Sequence, residues 1–341
     1  MPKNAQPTIY DVAREAGVSI ATVSKALNRP EQVGAETRAR IHRVVDELGY
    51  VPKAHAVSLA RKGMGRIAVV APFTAYPSFL ERLTGVLTEA ARAGVEVSVF
   101  DHESAATAST PVLATMPIRG QVDGLIVMGQ RIEPAVEERL LSRAVPVIVV
   151  DSESVVFPTV SCDDFAGGEL AAAHLLAAGH RRIAYLVERQ LTDYPSQARH
   201  RLDGFTSRCA AAEDVELQVV ISEPSVAGAM EQARAVLEAD PGVTAIAAHY
   251  DSMAVGVLKA ARDLGMSVPD DVAVMGYYDS PVAEALDLST IRQPFRESGE
   301  VATRMLLAEI SHRGQPRLSA VLDLTVAARR STAAVATDSP A

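Results

Sequence analysis

Thr8-Ile9-Tyr10-Asp11-Val12-Ala13-Arg14-Glu15-Ala16-Gly17-Val18-Ser19-Ile20-Ala21-Thr22-Val23-Ser24-Lys25-Ala26-Leu27-Asn28 is the stretch that decides how this 341-residue chain is read. Thr8 and Asp11 stand three apart, a spacing at which a Thr hydroxyl can accept from the free amides of a helix start. Ile9, Val12, Ala13 and Ala16 then recur at helical spacing, and Gly17 supplies a turn. Ser19 is placed to cap a second helix whose inner face is Val23, Ala26 and Leu27. The other face carries Ala21, Ser24, Lys25 and Asn28 at i, i+3, i+4 and i+7. Small or hydrogen-bonding side chains with one cation suit base edges better than a core. A third helix follows, with Ile41, Val44, Val45 and Leu48 inward and Arg38, Arg40 and Arg43 elsewhere on its surface. Two helices joined by a Gly-containing turn form the helix-turn-helix pattern, whose second helix enters the major groove. An ordinary three-helix bundle with a solvated polar face is the alternative.

Charge distribution supports an anionic partner for this head. The chain carries a net charge of −9, but residues 1–65 hold 10 Lys and Arg against 6 acids, a local net of +4. The remainder is therefore at −13. A basic head on an acidic body points to nucleic acid at the head alone. At about 150 residues per domain, the length suggests two globular domains and an extra piece. The 48% hydrophobic content is enough for a sizeable core. Two cysteines, Cys162 and Cys209, read as small core residues and not as a disulfide framework. No apolar run approaches the roughly 18 residues needed to cross a bilayer. Met1–Pro7 is polar and unlike a signal peptide, so a reducing cytoplasm is the expected home.

The spacing Thr8-Ile9-Tyr10-Asp11-Val12-Ala13, Ala16-Gly17-Val18-Ser19, Thr22-Val23-Ser24 and Leu27-Asn28 resembles the head of the LacI/GalR transcriptional repressors. The match continues through Thr37-Arg38, Leu48-Gly49-Tyr50 and Pro52. The resemblance implies base contacts from Ile20, Ala21 and Lys25, with Thr8, Ser19, Thr22, Ser24, Asn28 and Tyr50 helping to hold the backbone. Chemistry agrees in part, since Lys25 can donate to guanine acceptors and Ala21 can touch a thymine methyl. Gly34 stands where the family often has a capping Ser, a change a helix start tolerates.

Between head and body, Pro52 can open a helix and the following Ala, Leu and Arg residues favour its continuation. The segment is shorter than the ~12–15 residues at which an isolated helix becomes marginal. It is expected to fold only when paired with a twin on DNA, a plain flexible linker being the alternative. The resemblance implies a hinge helix in the minor groove, with Lys53 and Ala56 beside the DNA and Leu59 wedged into a base step. Lys53 replaces a frequent Asn, and Val57 sits where a polar residue is common.

From Arg66 onward, apolar runs alternate with amphipathic stretches. The runs are Ile67–Ala71, Val95–Phe100, Leu125–Met128, Val145–Val150, Ile183–Val187, Val219–Ile221, Ala245–Ala248 and Val272–Met275. Helical stretches between them are Phe79–Ala93, Pro134–Arg143, Gly167–Ala178, Ala198–Ala211, Gly228–Ala239, Ser252–Leu264 and Ser298–Arg313. Such alternation indicates an α/β class with doubly wound parallel sheets. Further matching motifs, among them Gly179-His180-Arg181-Arg182-Ile183 and Val268-Pro269-Asp270-Asp271, extend the resemblance across the body. They imply a periplasmic-binding-protein-like body of two subdomains joined by three crossovers. The expected layout is a head over 1–50, a hinge and linker over 51–65, and a body over 66–341. Within the body, one subdomain takes about 66–162 and 293–323, the other about 163–292 and 324–332, and 333–341 form a tail.

Ligands in such sheets bind beyond the strand C-termini. Thr74, Tyr76 and Phe79 follow the first body strand; Phe79 could equally be core. Asp151 ends a strand at a position that is ligand-facing in the family. Arg201, in Arg-x-x-Gly spacing, matches an effector-contacting arginine that could fork onto hydroxyls or a carboxylate, a surface salt bridge being the alternative. Asp163 matches an acid near the cleft but could simply brace the subdomain crossing. Tyr250 and Tyr278 replace the Asn and Asp common in sugar-responsive relatives, which puts ordinary pyranose recognition in doubt, or they fill a closed cleft.

The sequence lacks Gly-x-Gly-x-x-Gly after a strand, Gly-x-x-x-x-Gly-Lys-[Ser/Thr], His-Glu-x-x-His and Gly-x-Ser-x-Gly. No enzyme, metal site or cofactor is expected. The reading is a homodimeric repressor that binds a palindromic operator and is controlled by a small-molecule effector, a sugar or sugar-derived metabolite. Control by a protein corepressor, operation without effector, and a solute-binding protein of the same body fold are the alternatives.

Overall fold

A computed structural model of the chain describes residues 7–28, 32–48, 50, 65–74, 76–101, 122–189, 197–311 and 318–332. The expected hinge helix and the tail over 333–341 lie outside them.

The head is built from α1 (Ile9–Ala16), α2 (Ile20–Asn28) and α3 (Ala35–Leu48). Val12, Ala13 and Ala16 of α1, Val23 and Ala26 of α2, and Ile41 and Val44 of α3 meet in one buried cluster. The expected capping pair is present as a reciprocal capping box between Thr8 and Asp11. Asp11 accepts from the Thr8 N–H at 2.9 Å and from the Thr8 hydroxyl at 2.6 Å. Gly17 turns the chain at φ 63°, and the Ser19 hydroxyl accepts from the Thr22 N–H at 3.1 Å to start α2.

The body alternates strands and helices as its apolar runs predict. The first part runs β1 (Arg66–Ala71), α4 (Ser78–Ala93), β2 (Glu96–Asp101), β3 (Gly124–Met128), α5 (Pro134–Ser142), β4 (Val147–Val150) and β5 (Thr159–Cys162). The chain continues through α6 (Asp164–Ala177), β6 (Arg182–Glu188), α7 (Gln197–Ala210), β7 (Glu216–Ser222), α8 (Val226–Ala239), β8 (Ala245–Ala248), α9 (Asp251–Asp263) and β9 (Ala273–Met275). It closes with α10 (Pro281–Ala285), β10 (Thr290–Arg292), α11 (Phe295–Ser311), β11 (Ala320–Leu322) and β12 (Thr325–Ala327). Every predicted strand and helix of the body is present within two or three residues at its described ends. The elements the alternation did not predict are β5, α10, β10, β11 and β12, which have three to five residues each. Segments that short contain too few side chains to establish a period.

One parallel sheet has the order β11-β5-β4-β3-β1-β2 and a second the order β7-β6-β8-β9, while β10 and β12 form an antiparallel pair. Strands β1, β3 and β4 are almost wholly buried, as expected for parallel strands covered on both faces. The chain passes from the first sheet to the second between β5 and α6, returns between β10 and α11, and crosses again between β11 and β12. In each sheet the order reverses beside the first strand to enter it. β1 pairs with both β2 and β3, and β6 with both β7 and β8. The crevices at the C-terminal ends of these strands are where an open α/β sheet receives a ligand.

Two helix pairs fix the geometry next to those crevices. A Cβ added at Gly299 of α11 would lie 2.0 Å from the Arg82 carbonyl oxygen of α4. Across the same contact, one at Gly85 would lie 2.0 Å from the Arg296 carbonyl oxygen. In the other subdomain, a Cβ at Gly168 of α6 would lie 2.0 Å from the Arg201 carbonyl oxygen of α7. At Gly204 the same atom would lie 2.0 Å from that of Phe165. Gly299→Ala is therefore expected to destabilise the body by about 1–3 kcal/mol, because backbone cannot recede as a side-chain tip can. Urea unfolding at pH 7.5 checks this, and an unchanged midpoint contradicts it.

Burial also sets a pH dependence. Desolvation lowers the pKa values of His174, His180 and His249, the last of them well below 6.5. The unfolded chain then binds protons at these rings before the folded chain does, so stability is complete above about pH 6.5 and falls as pH drops through that value. Tm is expected to decrease between pH 7.5 and pH 5.5, and to decrease less in His180→Asn; equal decreases would exclude His180 as a contributor.

Candidate functional site

The outer face of α2 presents Ser19, Ile20, Ala21 and Lys25 to solvent, with Thr22 and Ser24 half-buried beside them. Val23 and Ala26 turn inward, so the helix is held by one face and free to enter a groove on the other. The Ser19 and Thr22 hydroxyls lie 2.8 Å apart at its start, where free backbone N–H groups suit a phosphate. Asn28 ends α2, and its side chain lies outside the description, as do Lys53, Ala56 and Leu59. Two residues of the expected DNA surface are placed differently. The Tyr50 ring is only 8% exposed and packs into the head core. Thr8 is exposed, but its hydroxyl is taken up by Asp11.

The second candidate site lies at the strand C-termini of the two sheets. Asp151 directly follows β4, and its carboxylate accepts from the Arg82 guanidinium, both side chains being buried. Arg82 lies against two rings, its guanidinium carbon 5.3 Å from the Phe79 centroid and 4.3 Å from that of Phe295. Phe79 thus belongs to the core and also forms a wall around a cation. Tyr76 meets the edge of Phe79, with centroids 6.3 Å apart.

On the opposite side, Arg201 of α7 donates from Nε to Asp164 Oδ1 at 2.7 Å, and Gln293 donates to the same oxygen at 3.2 Å. With 3% exposure, Arg201 forms a buried ion pair, not the surface salt bridge of the alternative reading. Its guanidinium carbon is 4.1 Å from the Tyr277 centroid and 5.0 Å from that of Tyr278. Tyr278 stacks on Tyr250 with centroids 5.9 Å apart and planes inclined by 7°, and meets Phe295 edge-on at 5.1 Å. Asp151, Tyr278 and Asp279 have φ of 52°, 117° and 61°, conformations L-residues rarely adopt. Gln197 of α7 donates to the Asp151 carbonyl oxygen, so the two sides touch directly.

Electrostatics follow burial. Desolvation pulls the Arg82 pKa down to about 10, which leaves it charged at neutral pH. Burial would also lower Arg201, but Asp164 beside it holds its pKa well above the usual arginine value. His249 Nε2 lies 3.8 Å from Glu188 Oε1. Burial, reinforced by Arg201, keeps this ring neutral, so the contact is polar and not an ion pair. Beside Asp151 and Asp164, a cavity of about 500 Å³ is lined by Ser152, Ser161, Gln197 and His200 among others.

Asp151, Arg201, Tyr76, Phe79, Tyr250 and Tyr278 thus belong to one chain of contacts at these strand ends, and of the six Asp151 lines the cavity just described. One residue expected there is placed elsewhere. Thr74 is exposed and bound to Asp101 through its N–H (3.1 Å) and hydroxyl (2.7 Å), pinning the loop to β2. Asp163 is exposed, caps α6 by accepting from Ala166 at 2.9 Å, and lines the cavity beside Asp151 and Asp164. Sequence reading missed Arg82, Asp164 and Phe295. A signal existed for Arg82, since it follows Phe79 at i+3 and precedes Val86 and Ala90 on the apolar face of α4. A cation in that stripe has to find an acid. Asp164 is hidden beside the more exposed Asp163.

Residues 8–53 match the profile of Bacterial regulatory proteins, lacI family, and residues 172–332 that of the Periplasmic binding protein-like domain. The HTH-type transcriptional regulator DegA of Bacillus subtilis (strain 168) is 31% identical over 318 residues, covering 90% of this chain and 92% of DegA. The structure of the lac repressor dimer bound to operator and the anti-inducer ONPF is 26% identical, with a TM-score of 0.78. That match covers 97% of this chain and 100% of the repressor chain. The transcriptional regulator CelR–cellobiose complex matches with a TM-score of 0.66 at 27% identity, over 95% of this chain and 99% of that one. Read together with the exposed polar face of α2 and the two-sided cleft, these similarities make the chain a member of the LacI family of bacterial transcriptional regulators, a DNA-binding protein and not an enzyme.

Proposed function

We propose that the chain is a homodimeric, cytoplasmic repressor whose effector, a sugar or sugar-derived metabolite, binds in the cleft between the two sheets. The observation that carries the DNA-reading half is the solvent face of α2, where Ala21 and Lys25 stand beside a phosphate-suited helix start. The head spans 1–50, the hinge 51–65 and the body 66–341, with subdomains divided at the three chain crossings. Lys25 donates to a guanine edge, Ala21 and Ile20 contact bases, and Ser19, Thr22, Ser24 and Asn28 hold phosphates. Lys53, Ala56 and Leu59 in the hinge meet the minor groove. Two-fold protein symmetry requires a palindromic operator.

Effector control follows from the cleft touching both subdomains. A ligand bound by Asp151 and Tyr76 on one side and Arg201, Tyr250 and Tyr278 on the other favours one subdomain angle. Only a difference in affinity between the two angles can move the heads. The cellobiose complex of CelR supports a carbohydrate class, as does the operator complex of the lac repressor for DNA.

Two measurements test this reading. Lys25→Ala should weaken binding to the palindrome that the wild type selects from random DNA and relax one base position by about 1–3 kcal/mol; equal loss on random DNA contradicts base readout. In cells carrying a reporter behind that palindrome, Arg201→Ala should keep repression and lose induction. Induction retained in that variant would place the effector elsewhere.

A further inference from the structure

We propose that the dipeptide Tyr278-Asp279 is a bracket that sets the angle between the two subdomains, and through it the half-site spacing that the two heads accept on DNA. This rests on the palindrome-reading dimer proposed above and assigns the residues that position its heads.

The two residues hold a backbone that most side chains avoid. Tyr278 has φ 117° and Asp279 φ 61°. Aspartate tolerates the left-handed region, but a bulky ring at positive φ persists only where its surroundings hold it there. Strand β10 does the holding. The Tyr278 N–H donates to the Ile291 carbonyl oxygen at 2.8 Å, and the Asp279 N–H to Thr290 Oγ1 at 3.2 Å. The Asp279 carboxylate then accepts from two guanidinium groups, Arg292 Nε at 2.6 Å and Arg329 Nη2 at 2.5 Å. With its side chain only 10% exposed, these charge-assisted bonds are shielded from water and directional.

The place of the bracket gives it leverage. Residues 292–295 carry the chain from the second subdomain back to the first, since Arg292 ends β10 and Phe295 begins α11. Asp279 grips this segment at one end. The Tyr278 ring meets Phe295 edge-on at the other, with centroids 5.1 Å apart. Between the two ends, Gln293 donates to Asp164 Oδ1 at 3.2 Å, and Asp164 begins α6 just after the first crossing. Arg292 is also in register with Thr325, which begins β12 just after the third crossing, and Arg329 follows the same strand. Directly or through the segment it holds, the dipeptide is thus tied to the chain at all three crossings. Hinge motion between two bodies is absorbed by a few residues at element ends, and these are the residues that Tyr278 and Asp279 fix. Each head precedes β1 of the first subdomain, so in a two-fold dimer the separation of the heads follows the subdomain angle. On its other side, Tyr278 stacks on Tyr250 and lies 5.0 Å from the Arg201 guanidinium carbon, which joins the bracket to the contacts at the strand ends.

The test compares the full-length wild type with Asp279→Asn and Arg292→Gln on the palindrome that the wild type selects from random DNA. Five versions of that palindrome are made, with the half-sites at the selected spacing and one or two base pairs closer or further apart. Fluorescence anisotropy gives each Kd, and thermal melting reports the fold. The wild type is expected to favour the selected spacing tenfold or more. Asparagine tolerates the same backbone region as aspartate, so Asp279→Asn removes the charge and leaves the backbone preference. It should narrow the spacing preference to threefold or less, or move it to a neighbouring spacing, with affinity for random DNA within twofold of wild type. A residue with a merely structural role would lower Tm and weaken all five versions by one factor, and that result would overturn the bracket. Should Asp279→Asn fail to fold, Arg292→Gln decides, because its side chain is 60% exposed and its loss removes one of the two ion pairs. It should reduce the preference at least threefold. A spacing profile unchanged in every folded variant would overturn the bracket and leave the palindrome reading intact. A wild type with no spacing preference would overturn the palindrome reading and the bracket with it.

Discussion

Backbone meets backbone at several helix pairs in this body, and buried arginines stand at two of them. Gly85 and Gly299 let α4 and α11 touch at Arg82, and Gly168 and Gly204 let α6 and α7 touch at Arg201. Each of these contacts excludes a Cβ, so the helix axes are fixed by main-chain atoms that cannot yield as side chains do. The arginines projecting from the contacts inherit that rigidity. Each sits 2–3% exposed and has found its carboxylate on an element distant in sequence, Asp151 for Arg82 and Asp164 for Arg201.

Those pairs are costly to break and not necessarily stabilising to make, because two charges leave water for each one formed. Their consequence here is positional. A guanidinium held by one acid and two rings has a fixed direction, and Asp151, Tyr278 and Asp279 keep strained backbone conformations around the same cleft. Strain and buried charge in one location fit a site with two alternative arrangements better than a passive core. The parallel sheets place the cleft, since a crossover connection puts each strand-to-helix loop at the C-terminal edge.

The head follows a different economy of structure. Its core is small, formed by side chains of α1, α2 and α3 that all lie within some 40 residues of sequence. A charge of +4 over residues 1–65 sits opposite a body at −13. DNA attracts the first and repels the second, which favours docking by the heads alone. The acidic total therefore describes the body and says little about the partner of the head.

What the sequence determined by itself is what short-range periodicity can carry. The three head helices, the exposed face of α2 and the alternation of long strands and helices all follow from apolar spacing over a dozen residues. Capping chemistry was legible as a pairing of Thr8 with Asp11. The loops at the strand C-termini were legible, and the structure gathers Asp151, Arg201, Tyr250 and Tyr278 at them. The tertiary structure alone decided which side chains meet. Arg82 and Asp151 are 69 positions apart and Gln293 and Asp164 are 129 apart, distances over which no local pattern operates. It also turned Tyr50 inward, tied Thr74 to β2, and added β10, β11 and β12, which gain their pairing only from strands far away in the chain. The physical reason is the same in each case. Burial of a polar group is settled by partners that only folding brings within reach.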